Sequence, residues 1–199
     1  MSDIKLKIVR AQLGTALSLF ILDRDPYSVH ALACGASEVA EGMAETADFP
    51  TLSTHIMTTF PDIDMKKIKA LRNQHWNALK HFYKPDGKNP REDEALLGDF
   101  HDGMNDTVLF MGWIDYLQLT KALPLEAQVF LAWWYAANPD KMSPSNYRRD
   151  WQLLFPKLDT YDRAEQKRRL RRTIEKYRRD RTVLSDPRTE LGPLVMRLL

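Results

Sequence analysis

The stretch Asn77-Ala78-Leu79-Lys80-His81 carries the most chemical-looking pattern in this chain. Asn73, Asn77 and His81 recur at i, i+4 and i+8, which places three polar side chains on one helical face with Lys80 beside them. A histidine there can give or take a proton near neutral pH, and the lysine can contact a phosphate. The same spacing also suits a solvated face, or an amide–imidazole network that ties two helices together. His75 falls on the apolar side of the stretch and reads as a hydrogen-bonded core histidine.

A second constellation is Arg24-Asp25-Pro26-Tyr27-Ser28-Val29-His30. Asp25 and Pro26 have a structural use: Asp is a favoured N-cap, and Pro fits a first helical turn, where its missing N–H has no partner to lose. His30 would then lie within the first two turns, where the positive end of the helix dipole lowers a histidine pKa and favours the neutral ring. That suits a general base, and equally a buried histidine bonded to a neighbouring helix. If the two helices pack together, His30 and His81 could meet.

The third is Lys167 to Arg181, in which a narrow seam of Leu170, Ile174 and Tyr177, continued by Leu184 just beyond, is set in a surface of cations. Between Tyr161 and Arg181 there are ten Lys or Arg against four Asp or Glu, so the net charge of +2 hides a basic segment on a slightly acidic remainder. Arg168, Arg169, Arg171, Arg172, Arg178 and Arg179 could lie along a phosphate backbone, where binding comes from counterion release and reads no sequence. An acidic protein partner, or a second copy, would suit the seam as well.

Other chemistries find no pattern. The histidines at 30, 55, 75, 81 and 101 lack the spacing and partners of a zinc site, and the eight glycines form no phosphate-binding loop. No cofactor and no metal are expected. The single cysteine, Cys34, has no disulfide partner within the chain and reads as a small core residue of a reducing compartment. The apolar runs Leu13–Leu22 and Val129–Ala137 fall short of the roughly 20 residues a membrane-spanning helix needs, and the N-terminus lacks a signal-type cleavage site. A cytoplasmic protein with no membrane contact is expected.

The elements that must position these residues are helical throughout. Periodicity predicts helices over Lys5–Leu22, Tyr27–Ala44, a short Leu52–Phe60, and a long one from Asp62 or Asp64 to Phe82 with Met65, Ile68, Leu71, His75 and Phe82 as its apolar stripe. Turn residues between Tyr83 and Arg91 mark a loop. Helices follow over Glu92–Lys121, interrupted near Gly103, then Leu125–Ala137, Ser145–Phe155 opened by Ser143-Pro144, Thr160–Arg181, and Arg188–Leu199. Leu125–Ala137 is apolar nearly all round and belongs in a core. The expected fold is an all-α bundle of about six or seven helices, with a bundle domain over 1–140 and a helical extension over 141–199 that contains the basic helix 160–181.

The segments Asp25-Pro26-Tyr27-Ser28-Val29-His30-Ala31-Leu32, Asn77-Ala78-Leu79-Lys80-His81 and Pro85-Asp86 resemble, in order and spacing, an uncharacterised bacterial all-helical family with Asp-Pro-x-Ser-Ile/Val-His and Asn-x-x-Lys-His motifs. The resemblance spans about residues 10–140. That family is in turn loosely similar to HEPN bundles, many of them dimeric and RNA-cutting, whose motif is an Arg followed after four to six positions by a His. Arg24 and His30 match that spacing, whereas Arg72 matches neither His75 nor His81. The resemblance implies an RNA-associated protein, in its sharpest form a metal-independent ribonuclease and a homodimer, in which His30 or His81 transfers protons and Arg24 and Lys80 stabilise phosphate charge near Asn77. The alternative is a non-catalytic adaptor that binds nucleic acid or an acidic protein through its basic helix. A small-molecule-binding bundle rests on the aromatic richness around Trp133 and Trp134.

Overall fold

A computed structural model describes residues 3–141 and 146–196, with residues 146–149 described by their backbone only. The described chain is mostly helical and forms two compact units, residues 1–119 with 195–199, and residues 120–194. The Ser143-Pro144 helix start lies outside the described residues. Among them, no helix is long and apolar enough to cross a membrane.

The first unit opens with α1 (Asp3–Ile21) and α2 (Pro26–Thr46), the most extensively packed pair in the chain. Val9, Leu13, Leu17 and Phe20 recur every three or four residues and are fully buried. Between the helices, Asp23 adopts φ +52°, Arg24 N–H bonds Leu19 C=O at 2.9 Å and Asp23 N–H bonds Phe20 C=O at 3.3 Å. This is a Schellman cap with Asp in the left-handed position usually held by Gly. Asp25 then caps α2 by accepting from the Tyr27 and Ser28 N–H groups, with Pro26 at the first turn. Capping of this kind is worth about 1 kcal/mol.

Two shorter helices follow the same logic. Thr51 caps α3 (Leu52–Thr59) and Asp64 caps α4 (Met65–Lys80) through the Lys67 N–H. The buried face of α4 is Ile68, Arg72 and His75, at i, i+4 and i+7. Leu71 and Phe82, expected on that face, are 62% and 71% exposed. The reason lies in the neighbouring helix: α2 offers Glu41 to Arg72, so an ion pair, rather than a leucine, faces inward.

The helical stretch expected over Glu92–Lys121 is interrupted where Gly103 suggested, giving α5 (Glu94–Gly98) and α6 (Met104–Thr120), separated by residues 99–103. At Gly112 of α6, an added Cβ would stand 2.6 Å from Leu13 Cδ2, so the glycine leaves room for the Leu13 side chain of α1.

In the second unit, α7 (Leu125–Ala137) is the core element, with Phe130 and Trp133 fully buried. It packs against α8 (Asn146–Leu154) and α9 (Arg163–Tyr177). Helix α7 therefore groups with the C-terminal helices, and the division between units falls before it rather than near residue 140. Leu170 and Ile174 of α9 are buried beneath its cations, and Trp133 Nε1–H donates to Gln166 C=O at 2.9 Å. A one-turn helix, α10 (Arg181–Leu184), is capped by Asp180. The helix expected over Arg188–Leu199 does not form in its described part. Instead Asp186 turns the chain by accepting the Arg188 N–H, and β2 (Thr189–Glu190) pairs in parallel with β1 (Leu123–Pro124).

Candidate functional site

The residues singled out by sequence separate into two groups. Arg24 is exposed, its backbone N–H engaged in the α1 cap. Lys80 is exposed and its Nζ sits 3.5 Å above the Trp76 ring, a cation–π contact. His81 is exposed in extended backbone just past the end of α4, and Asn77 is half-buried on that helix. His30, by contrast, is 2% exposed, and its ring neighbours are His75 at 5.8 Å and Phe100 at 5.0 Å between centroids. The histidine brought to His30 is His75, not His81.

Geometry sets the protonation of both rings. Asn105 Nδ2–H donates to Pro26 C=O at 3.0 Å, which orients the amide so that its Oδ1 faces His30 Nδ1, also at 3.0 Å. An acceptor there requires Nδ1 to carry the proton, so the neutral ring presents a bare lone pair at Nε2. His75 Nδ1 is hydrogen-bonded to Gln74 Nε2 at 3.4 Å. An amide N–H donating to Nδ1 leaves the His75 proton on Nε2. Both Nε2 atoms are buried without a hydrogen-bond partner. Burial pushes the His30 pKa down to about 4, the charge of a protonated His75 adding to the effect while the bond to Asn105 opposes it. His75 is lowered as well, by burial first and then by His101. The helix dipole invoked from sequence is not needed: desolvation keeps these rings neutral.

The two histidines line one cavity of about 340 Å³ together with Arg72, Ile63, Ile68, Leu71, Met104 and Met111. This is the lower end of the range for small-molecule sites, and the exposure of Leu71 in its wall shows that it opens to solvent. Phe100 stacks on Tyr27 at 4.9 Å and meets both histidine rings edge-on, so one aromatic side chain covers the pair. Tyr27 O–H in turn donates to Leu97 C=O at 2.9 Å, which secures the end of α5.

Around Arg72 lies a buried charged network. Arg72 Nη1 bonds Glu41 Oε2 at 2.8 Å, its Nε bonds Asn73 Oδ1 at 3.1 Å, and Glu41 also accepts from the Ser53 hydroxyl. Asp115 of α6 is fully buried and accepts the Leu52 N–H at 2.8 Å, at the start of α3, with its second oxygen unpartnered. Burial raises its pKa to about 7; the bond from Leu52 opposes the rise and the charge of Glu41 adds to it. Cys34 donates weakly to Arg72 C=O at 3.7 Å, and burial raises its thiol to about 12, which suits an inert core residue.

The six arginines of the basic helix do not act alike. Arg168 and Arg169 pair with Glu165, and Arg169 also lies 4.0 Å from the Tyr161 ring. Arg178 reaches Glu126 of α7 at 2.9 Å and Glu175 at 2.6 Å. Arg171 is half-buried with partners of its own. Arg172 and Arg179 are exposed, without an ion pair among the described residues.

No protein-family model, curated protein or solved structure matches the chain. What it does has to be read from its own residues. Among the described residues, no group of three or more His, Cys, Asp or Glu is placed to hold a metal ion. Sequence reasoning missed His75 and Asn105 as neighbours of His30, and Arg72 as a residue of the same cavity. The one available signal was that Arg72 and His75 share a face with Ile68, an expensive place for polar groups unless they have work there.

Proposed function

We propose that the first unit is a ligand-binding helical bundle whose site is the cavity between α2, α4 and α6, with His30 and His75 in its wall. The observation that carries this reading is a largely apolar cavity with three buried polar residues, His30, Arg72 and His75, in its wall. Benzene is the direct probe of the space. It should shift the Met104 and Met111 methyl resonances in an NMR titration, and Met111→Trp should abolish the effect by filling the cavity. Methyl signals indifferent to benzene in the wild-type protein would remove the reading.

A second role, in the other unit, is contact with nucleic acid. Arg168, Arg172, Lys176 and Arg179 recur every three or four residues on the exposed side of α9, extending just past its end, opposite the buried Leu170 and Ile174. Such a stripe suits a phosphate backbone. Binding to a single-stranded oligonucleotide should weaken steeply with salt, and Arg172→Glu with Arg179→Glu should lower both the affinity and the salt slope. An unaltered slope in the double variant would place the contact elsewhere or nowhere.

A further inference from the structure

Resting on the reading of α9 as a nucleic-acid contact, we propose that its partner is a single-stranded polynucleotide whose phosphates follow the cations of α9. Its bases enter an apolar groove between α7, α8 and α9.

The groove lies within the second unit and holds about 580 Å³, well inside the range for small ligands. Leu125, Val129 and Ala132 of α7, Trp151 and Leu154 of α8, and Tyr177 of α9 supply its apolar wall. Leu153, also in the wall, is 71% exposed, so the groove opens to solvent at α8. Among the described residues of its wall, Asp150 and Lys176 are the charged ones. A smaller recess lined by Phe155, Glu165, Arg169, Arg172 and Thr173 shares Leu154 with the groove. One face of α9 therefore borders both, with Arg172 on the recess and Lys176 one turn later on the groove. Glu165 engages Arg168 and Arg169, whereas Arg172 and Lys176 have no ion pair among the described residues. Lys176 Nζ lies 5.4 Å from the Tyr177 ring centroid, which sets a cation against the apolar wall.

The pairing of stripe and groove selects the partner. Arg168, Arg172 and Lys176 span about 12 Å of helix, more than one phosphate can occupy, so the ligand is a polymer. Each nucleotide brings one phosphate and one base with flat apolar faces, and a strand so engages cations and groove together. An acidic peptide dense enough in carboxylates to follow the stripe has few apolar side chains left for the groove. A duplex offers the same phosphates but keeps its base faces stacked inside, which leaves the groove empty. Trp151 already stacks on Tyr135 at 4.1 Å, so a base lies against the wall and does not wedge between those two rings.

The test measures fluorescence anisotropy on the full chain with three probes of equal length. They are a strand of about twelve thymidylates, within the usual site sizes of single-strand binders, its abasic counterpart with the same phosphates, and a duplex. The thymidylate strand should bind at least about tenfold more tightly than either, the difference one seated base makes. Ala132→Phe fills the groove, and Leu153→Gln changes an exposed wall residue that the fold does not depend on. Each should cut that preference by at least about threefold and leave the salt slope unchanged. Equal binding of the abasic strand, tighter binding of the duplex, or a preference that survives both variants overturns the groove assignment while the α9 contact stands. Displacement of the strand by poly-L-glutamate at equal charge would assign the surface to an acidic protein instead. If no nucleic acid binds at all, the α9 reading itself falls.

Discussion

Arg72 and Glu41 face each other at 2.8 Å across the contact of α4 with α2, their side chains 2% and 3% exposed. An ion pair this dry is weak evidence for stability as a pair, since desolvating both charges offsets most of their attraction. Breaking it from one side is another matter. Arg72→Met should cost about 3–5 kcal/mol in urea unfolding, because it leaves Glu41 buried beside Asp115 without a counter-charge. Adding Glu41→Leu to that variant should recover much of the loss. A double variant as unstable as the sum of the two singles would show that the pair holds something other than charge.

Asp115 predicts an alkaline weakness. Its pKa is raised in the folded state, to about 7 from an ordinary 3.8, so its contribution is fully present below about pH 4 and is lost as pH rises through 7. A rise of that size corresponds to roughly 4 kcal/mol at the upper limit. Asp115→Asn keeps an oxygen for the Leu52 N–H and removes the charge. It should therefore raise the melting temperature at pH 8 and change it little near pH 4. A uniform loss across the range would mean that Asp115 matters only through its hydrogen bond.

His30 predicts the opposite weakness in acid. Its folded pKa is depressed to about 4 against 6.5 unfolded, so stability is fully present above about pH 6.5 and declines as pH falls toward 4. The loss should approach about 3 kcal/mol at the low end. Asn105→Ala should cost about 1–3 kcal/mol at neutral pH by orphaning Nδ1, and should free the ring to exchange its tautomer. The ¹⁵N resonances of His30 check this directly: a proton that stays on Nδ1 in the variant would show that Asn105 does not set it.

Within the second unit, neighbouring arginines should behave differently. Arg178 joins α9 to Glu126 of α7 and is about half exposed, so Arg178→Gln should cost on the order of 1 kcal/mol or less. Arg179→Gln should stay within about 0.5 kcal/mol of wild type and affect oligonucleotide binding instead. Reversed effects would mean that the structural and exposed cations have been exchanged.

The helical class and most helix positions were legible because capping and breaking residues are local signals: Asp25-Pro26, Asp64 and Asp162 each open the helix their side chains cap. The face of α4 was not. Leu71 and Phe82 look like core residues by hydropathy, and only the presence of Glu41, about 30 positions away in sequence, turns Arg72 inward. The site failed to show for the same reason. His81 stood out through its polar neighbours, whereas His75 is paired with His30 by packing between α2 and α4. The strand at Thr189 depends on Leu123, a distant pairing that no window around Asp186-Pro187 contains.

Helix α6 places Asn105 under His30 and Asp115 under the start of α3. Ten residues of helix make about 15 Å of fixed length and nearly three turns, so the two contacts share one register. A single residue inserted or deleted between them would rotate one about 100° away from its target whichever end stayed in place. The exposed turn around Asp86-Gly87 has no such double commitment. Lineages of this chain should therefore vary in length there and keep the spacing of Asn105 and Asp115 invariant, a pattern of gaps rather than of residue identities.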